Sequence, residues 1–212
     1  MKELSYLFDA EYIIKKKKSL KRQLLADVNR NFVEKRIAIL GGETTENIKL
    51  TLELFLLNYG IKPYFYESEY NQYYEDGMFP NQKLEEFKPD IIYICTCVRN
   101  IIDFPVLSDQ KEVVEQKKQA VVDKFYGLWD SVAERYHCPI IQNNFEYPFF
   151  RLMGNKDASD YHGRVNFVTM LNCAFYEYAQ KHDNFYICDV NYISASYGLD
   201  KWSEPYYWHM YK

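Results

Sequence analysis

Ile37-Ala38-Ile39-Leu40-Gly41-Gly42-Glu43-Thr44-Thr45 is an apolar run, then a glycine turn, then a carboxylate and two hydroxyls. Four consecutive apolar residues fit a buried strand, and Gly41-Gly42 fits a tight turn. Thr44 or Thr45 can cap the helix that follows. Ile48, Leu52, Phe55, Leu56 and Tyr59 are expected on one face of that helix, with Gly60 as its C′ residue.

The same unit recurs downstream. Pro63-Tyr64-Phe65-Tyr66 reads as a second strand, and a loop holding Gly77, Pro80 and Pro89 leads to the next. Ile91-Ile92-Tyr93-Ile94-Cys95-Thr96-Cys97 is apolar on both faces, as a central parallel strand must be. Residues 109–136 predict a long amphipathic helix, 139–142 a strand, 158–182 a helix and 185–188 the last strand. Residues 1–34 read as a helical leader, leaving 35–212 as one domain. Alternation at this spacing implies α/β class: a three-layer α/β/α sandwich with a mostly parallel sheet in flavodoxin-like order.

At 212 residues the chain can bury one sizeable core. Its 26 basic and 30 acidic residues give a net charge of −4, which argues against nucleic acid as a partner. The basic run 15–18, with Lys21 and Arg22, reads as a solvated helix face. The 21 Tyr and 14 Phe fit cores, pocket walls and interfaces alike, so they do not choose among them. Five cysteines are an odd number, and Cys95 and Cys97 stand too close for a zinc knuckle. No metal site is expected, and a reducing, cytoplasmic location fits. No apolar stretch approaches the roughly 20 residues needed for a membrane span.

Polar residues follow nearly every strand, and ligands of open parallel sheets bind at those strand ends. The Gly41-Gly42-Glu43-Thr44-Thr45 turn could cradle an anion or be only a turn and cap. Arg99 and Asn100 could hold a carboxylate, phosphate or oxyanion, or cap the next turn. His209 could be a general base or an exposed terminal residue. His137, His162 and His182 read as structural. A nucleotide-binding reading draws on Glu67 at the end of the second strand, but the glycine pattern is missing.

These pieces resemble the N-terminal domain of FkbH-like proteins, a domain related to the SGNH (GDSL) hydrolases. The likeness is carried by Ile39-Leu40-Gly41-Gly42-Glu43-Thr44-Thr45 and Tyr66-Glu67-Ser68-Glu69-Tyr70-Asn71-Gln72-Tyr73, followed by Phe87-Lys88-Pro89-Asp90-Ile91-Ile92. Gly154-Asn155, Leu171-Asn172 and the segment from Trp202 complete it. The resemblance implies Glu43 where an SGNH enzyme has its serine nucleophile, with Thr44 the neighbouring hydroxyl. Asn71 or Glu69 would lie near the oxyanion glycine position, and Asn100 would match the oxyanion asparagine. The stretch from Glu204 to His209 would replace Asp-x-x-His.

The resemblance also implies a degenerate catalytic site and an accessory role beside a haloacid-dehalogenase-type (HAD) phosphatase domain, downstream or separate. That domain would carry Mg²⁺, this chain no cofactor, and the whole would load a glyceryl-type unit onto an acyl carrier protein for bacterial polyketide or surface-polysaccharide biosynthesis. The expected binding residues are Gly41, Gly42, Asn71, Arg99, Asn100 and Asn144; the expected catalytic ones are Glu43, Thr44 and His209. The competing expectation is an active esterase or acyltransferase using Glu43 or Thr44 with His209.

Overall fold

The computed structural model describes residues 1–28 and 30–204. Five strands, β1 (Val33–Gly41), β2 (Ile61–Glu67), β3 (Ile91–Cys95), β4 (Ile140–Asn143) and β5 (Phe185–Cys188), form one sheet. Its order is β2-β1-β3-β4-β5, and every neighbouring pair is parallel. This is the expected flavodoxin-like order, with an all-parallel sheet in place of a mostly parallel one.

The helices follow from the direction of each crossover. α1 (Ala10–Ala26) precedes the sheet, and α2 (Glu46–Asn58) carries the chain from β1 outward to β2. The path from β2 to β3 returns across β1 through α3 (Tyr73–Met78) and α4 (Gln82–Phe87). α5 (Lys111–Tyr136) and α6 (Arg164–Ala179) link the remaining strands, and α7 (Val190–Tyr197) and α8 (Leu199–Trp202) follow β5. Right-handed crossovers that reverse direction at β1 must place α2 on one face and α3 to α6 on the other.

Alternation along β1 feeds both layers. Ala38 and Leu40 join Ile92 and Ile94 under an aromatic core of Phe125, Trp129, Phe145, Phe167 and Phe175. Ile37 and Ile39 turn the other way, with Cys95, onto Ile48 and Leu56 of α2. Ring centroids in the aromatic core lie as close as 4.5 Å, the Trp129–Phe185 pair. Much of the aromatic excess is therefore packing.

Several local expectations are corrected. The leader is not helical over 1–34: α1 covers Ala10–Ala26, capped where Tyr12 N donates to Asp9 Oδ1 at 3.0 Å, and β1 begins at Val33. Its buried stripe is Ile13, Leu20 and Leu24, while Ile14, Leu25 and Val28 are exposed. That stripe packs on Leu54 and Leu57 of α2. A helix covered on both sides needs no single apolar face, so Tyr59 is left outside at 76% exposure. Gly60 is the C′ residue, with φ +80°. α3 and α4 occupy the expected loop, and a Cβ on Gly77 would collide with Leu128 of α5. α6 starts at Arg164 rather than 158, after a 3-10 turn over Gly154–Ala158.

Candidate functional site

β1 and β3 are the strands at which the chain reverses direction, and the crevice outside their carboxyl ends is where such sheets bind ligands. Gly41 and Gly42 leave β1 buried, and Gly42 N donates to Cys95 O at 2.9 Å. Asn100 arrives from the turn after β3. Its Nδ2 donates to Gly42 O at 3.0 Å and to Asn71 Oδ1 at 3.2 Å, and its Oδ1 accepts from Cys97 N at 2.9 Å. A Cβ on Gly42 would stand 2.5 Å from Asn100 Oδ1, so only glycine lets the amide lie on this turn. Asn71, at φ +59°, meets it from beyond β2. The structure thus brings together Gly42, Asn71 and Asn100, three of the expected binding residues.

Thr44 is exposed, whereas Thr45 is buried at the N-cap position of α2. The Thr45 hydroxyl donates to Glu67 Oε1 at 2.6 Å instead of capping the helix, and Lys49 pairs with the same carboxylate. Glu67, the acidic residue of the nucleotide-binding reading, is engaged by these two partners.

Glu43 is half-buried beside Cys97, Arg99 and Glu146. Burial raises its carboxyl above the ordinary value, against a hydrogen bond from the Cys97 thiol and the charge of Arg99. The Cys97 thiol is pushed up strongly, first by burial and then by the charges of Glu43 and Glu146. A thiol so placed is held protonated and serves as a hydrogen-bond donor rather than a nucleophile. Glu146 is 3% exposed and accepts from Val98 N at 3.2 Å. Burial, only partly offset by those backbone bonds, raises it to about 7. Two carboxyls with elevated proton affinity therefore flank one thiol.

Beyond Glu146 opens a cavity of about 340 Å³. Val98, Ile101, Phe104, Tyr147, Phe149 and Phe150 supply apolar wall, and Arg99 and Arg164 supply charge. The loop from β4 to α6 that forms one side is fixed by Asp157, which is fully buried. Its carboxylate accepts from Leu152 N at 2.8 Å, Met153 N at 3.2 Å and Val165 N at 2.7 Å. Gly163 packs so closely on the Asp157 backbone that any Cβ would collide with it.

Asn144 lies elsewhere. Its amide donates to Tyr176 Oη and Asp189 Oδ1, each at 2.7 Å, and its oxygen accepts from Asn191 N at 2.9 Å. His209 lies outside the described residues. His162 bridges Asp160 Oδ1 at 2.8 Å and Asp109 O at 2.9 Å, and His182 stacks on Tyr178. Among the described residues, no group of three or more His, Cys, Asp and Glu side chains is arranged to hold a metal ion, and no helix is long and apolar enough to cross a membrane.

Sequence reasoning missed Cys97 as a site residue, along with Glu146, Arg164 and the aromatic wall. One signal was available. Glu146 is a lone carboxylate inside the aromatic run Phe145-Glu146-Tyr147-Pro148-Phe149-Phe150, just past a strand end.

The architecture is that of a parallel α/β domain with a ligand-sized cavity outside the carboxyl ends of β3 and β4. Residues 36–210 match the family described as FkbH, N-terminal domain, and the chain belongs to that family. Among solved structures, it is similar to the crystal structure of the N-terminal part of the protein BF1531 from Bacteroides fragilis, containing a phosphatase domain and complexed with Mg. The TM-score is 0.71 at 22% identity, over 86% of this chain and 47% of that one. This chain thus spans less than half the length of that structure. No curated protein matches it.

Proposed function

We propose that this chain is the accessory domain of an FkbH-like enzyme, holding a small polar acyl unit, or the phosphopantetheine arm that carries it, at the strand-end turn. In this reading the fold is of SGNH type with a degenerate catalytic site. A HAD-type phosphatase domain with Mg²⁺, in the same or a separate chain, acts on a phosphorylated glycerate, and the glyceryl unit passes to an acyl carrier protein. The observation that carries the reading is Glu43. It follows the Gly41-Gly42 turn where a serine hydrolase would present its nucleophile, and it is engaged with a protonated thiol. A carboxylate there cannot form the serine acyl-enzyme; with Gly42 N and the Asn100 amide engaged in holding the turn, an acyl group would be oriented by the backbone amides of Glu43 and Thr44.

The test measures two things on the same preparation. Calorimetric titration with the cognate holo acyl carrier protein is expected to show saturable binding, and p-nitrophenyl acetate is expected to remain unhydrolysed above background. Turnover abolished by His209→Ala would overturn the reading.

One observation favours the active esterase or acyltransferase instead. Glu146, raised to about 7, can exchange a proton near neutrality, and Glu43, also raised above its ordinary value, lies beside it. In that case, turnover would follow a bell-shaped pH profile and vanish in Glu43→Gln.

A further inference from the structure

We propose that the cavity between the turn after β3, the β4–α6 loop and the start of α6 binds a small monocarboxylate with an apolar body, its charge held by Arg164. This site adjoins the strand-end turn, with Arg99 and Glu146 between the two, but it does not depend on the carrier-arm reading.

Three observations converge on this ligand class. The cavity holds about 340 Å³, the size of a small-molecule site, and most of its wall is aliphatic or aromatic. Arg164 lines it with its guanidinium 5.3 Å from the Phe104 ring centroid, while its Nε is buried with no hydrogen-bond partner among the described residues. An arginine that lines a cavity while its buried Nε goes unpartnered is short of acceptors, and the planar fork of its guanidinium matches a carboxylate. The apolar walls, Ile101, Phe104 and Phe149 among them, then take the body of the molecule.

The choice of carboxylate over phosphate follows from the surrounding donors. Phosphate sites at helix starts use free backbone N–H groups. Here Val165 N is already held by the Asp157 carboxylate, and Gly163 N donates to Asp160 O at 2.9 Å. Glu146 on the same wall can donate to a carboxylate when protonated, and when ionised it repels a dianion more strongly than a monoanion. Arg99 adds a second positive charge to the lining.

The experiment uses the full chain and phenylacetate as the probe, with phenylacetamide as the neutral isostere and inorganic phosphate as the competing anion. Ligand-observed NMR titration is expected to give saturable phenylacetate binding at least tenfold tighter than phenylacetamide, without competition from phosphate. Arg164→Gln is expected to lower phenylacetate affinity at least tenfold. If Arg164→Gln does not fold by circular dichroism, Phe149→Ser, at a residue 46% exposed, tests the apolar wall and is expected to cost at least threefold. Equal affinity for acid and amide, competition by phosphate, or unchanged affinity in Arg164→Gln or Phe149→Ser would overturn the proposal. So would the lack of saturation below about 10 mM. Carrier-protein binding is read in a separate titration, so failure of one reading leaves the other standing.

Discussion

Two clusters of buried polar side chains share the carboxyl edge of the sheet, and they are built differently. At the end of β4 the groups are neutral amides with every hydrogen-bonding atom engaged. Gln142 accepts from Trp129 Nε1 at 2.9 Å and donates to Thr96 Oγ1 at 2.8 Å and Asn143 O at 2.7 Å. Asn143 accepts from Tyr93 Oη at 2.8 Å, and Asn144 ties β4 to α6 and to the start of α7. A few residues away, Glu43 and Glu146 are carboxyls whose ionisation the surroundings oppose. Fully paired amides fix a structure, whereas buried acids with raised proton affinity mark a place able to respond to a ligand.

The largest effect is expected where an amide is removed. Asn144→Leu takes a partner from the Tyr176 hydroxyl and the backbone N of Asn191 and removes one of two donors to Asp189, and should cost about 3–4 kcal/mol in urea unfolding. A cost below about 1 kcal/mol would dissolve the distinction between the two clusters.

The next effect has the opposite sign. With its folded value raised to about 7 against an ordinary 4.5, Glu146 binds more protons in the folded than in the unfolded state between those values. Stability therefore falls as pH rises from about 4.5 to about 7 and is level outside that window. Glu146→Gln removes this loss, so the variant should gain on the parent by about 2–3 kcal/mol between pH 4 and pH 8. Unfolding midpoints measured across that range check it, and parallel curves for the two proteins would contradict it.

The smallest effect sharpens the boundary between the clusters. Gly42→Ala should cost about 1–3 kcal/mol by displacing Asn100, yet be nearly neutral when Asn100 is already alanine. A double-mutant cycle of unfolding free energies reads this directly, and additivity would separate the glycine from the amide.

Much of this arrangement was legible in the sequence. β3 announced itself by being apolar on both faces, and the polar residues at strand ends located the crevice. α3 and α4 were hidden because each is only six residues long, and the Gly77 and Pro80 around them read as loop signals. Gly77 is there for close packing against Leu128, which no local pattern reveals. The rule that finds strand ends gives a place but not a direction. It selected Asn144, whose side chain points into the fold, and passed over Glu146 two residues on. Cys97 was weighed only as a metal ligand, because its partners Glu43 and Glu146 are distant in sequence.

The α1 contact bears on where the unit can be cut. The family match begins at residue 36, inside β1 and after the whole of α1. A fragment trimmed to that match would lose Ile13, Leu20 and Leu24 and bare Leu54 and Leu57 of α2 to water, at about 1.5–3 kcal/mol for each large side chain uncovered. The recognisable family core and the unit that keeps Leu54 and Leu57 covered are thus different lengths of chain, and the helix that escapes the family pattern belongs in any preparation meant for binding measurements.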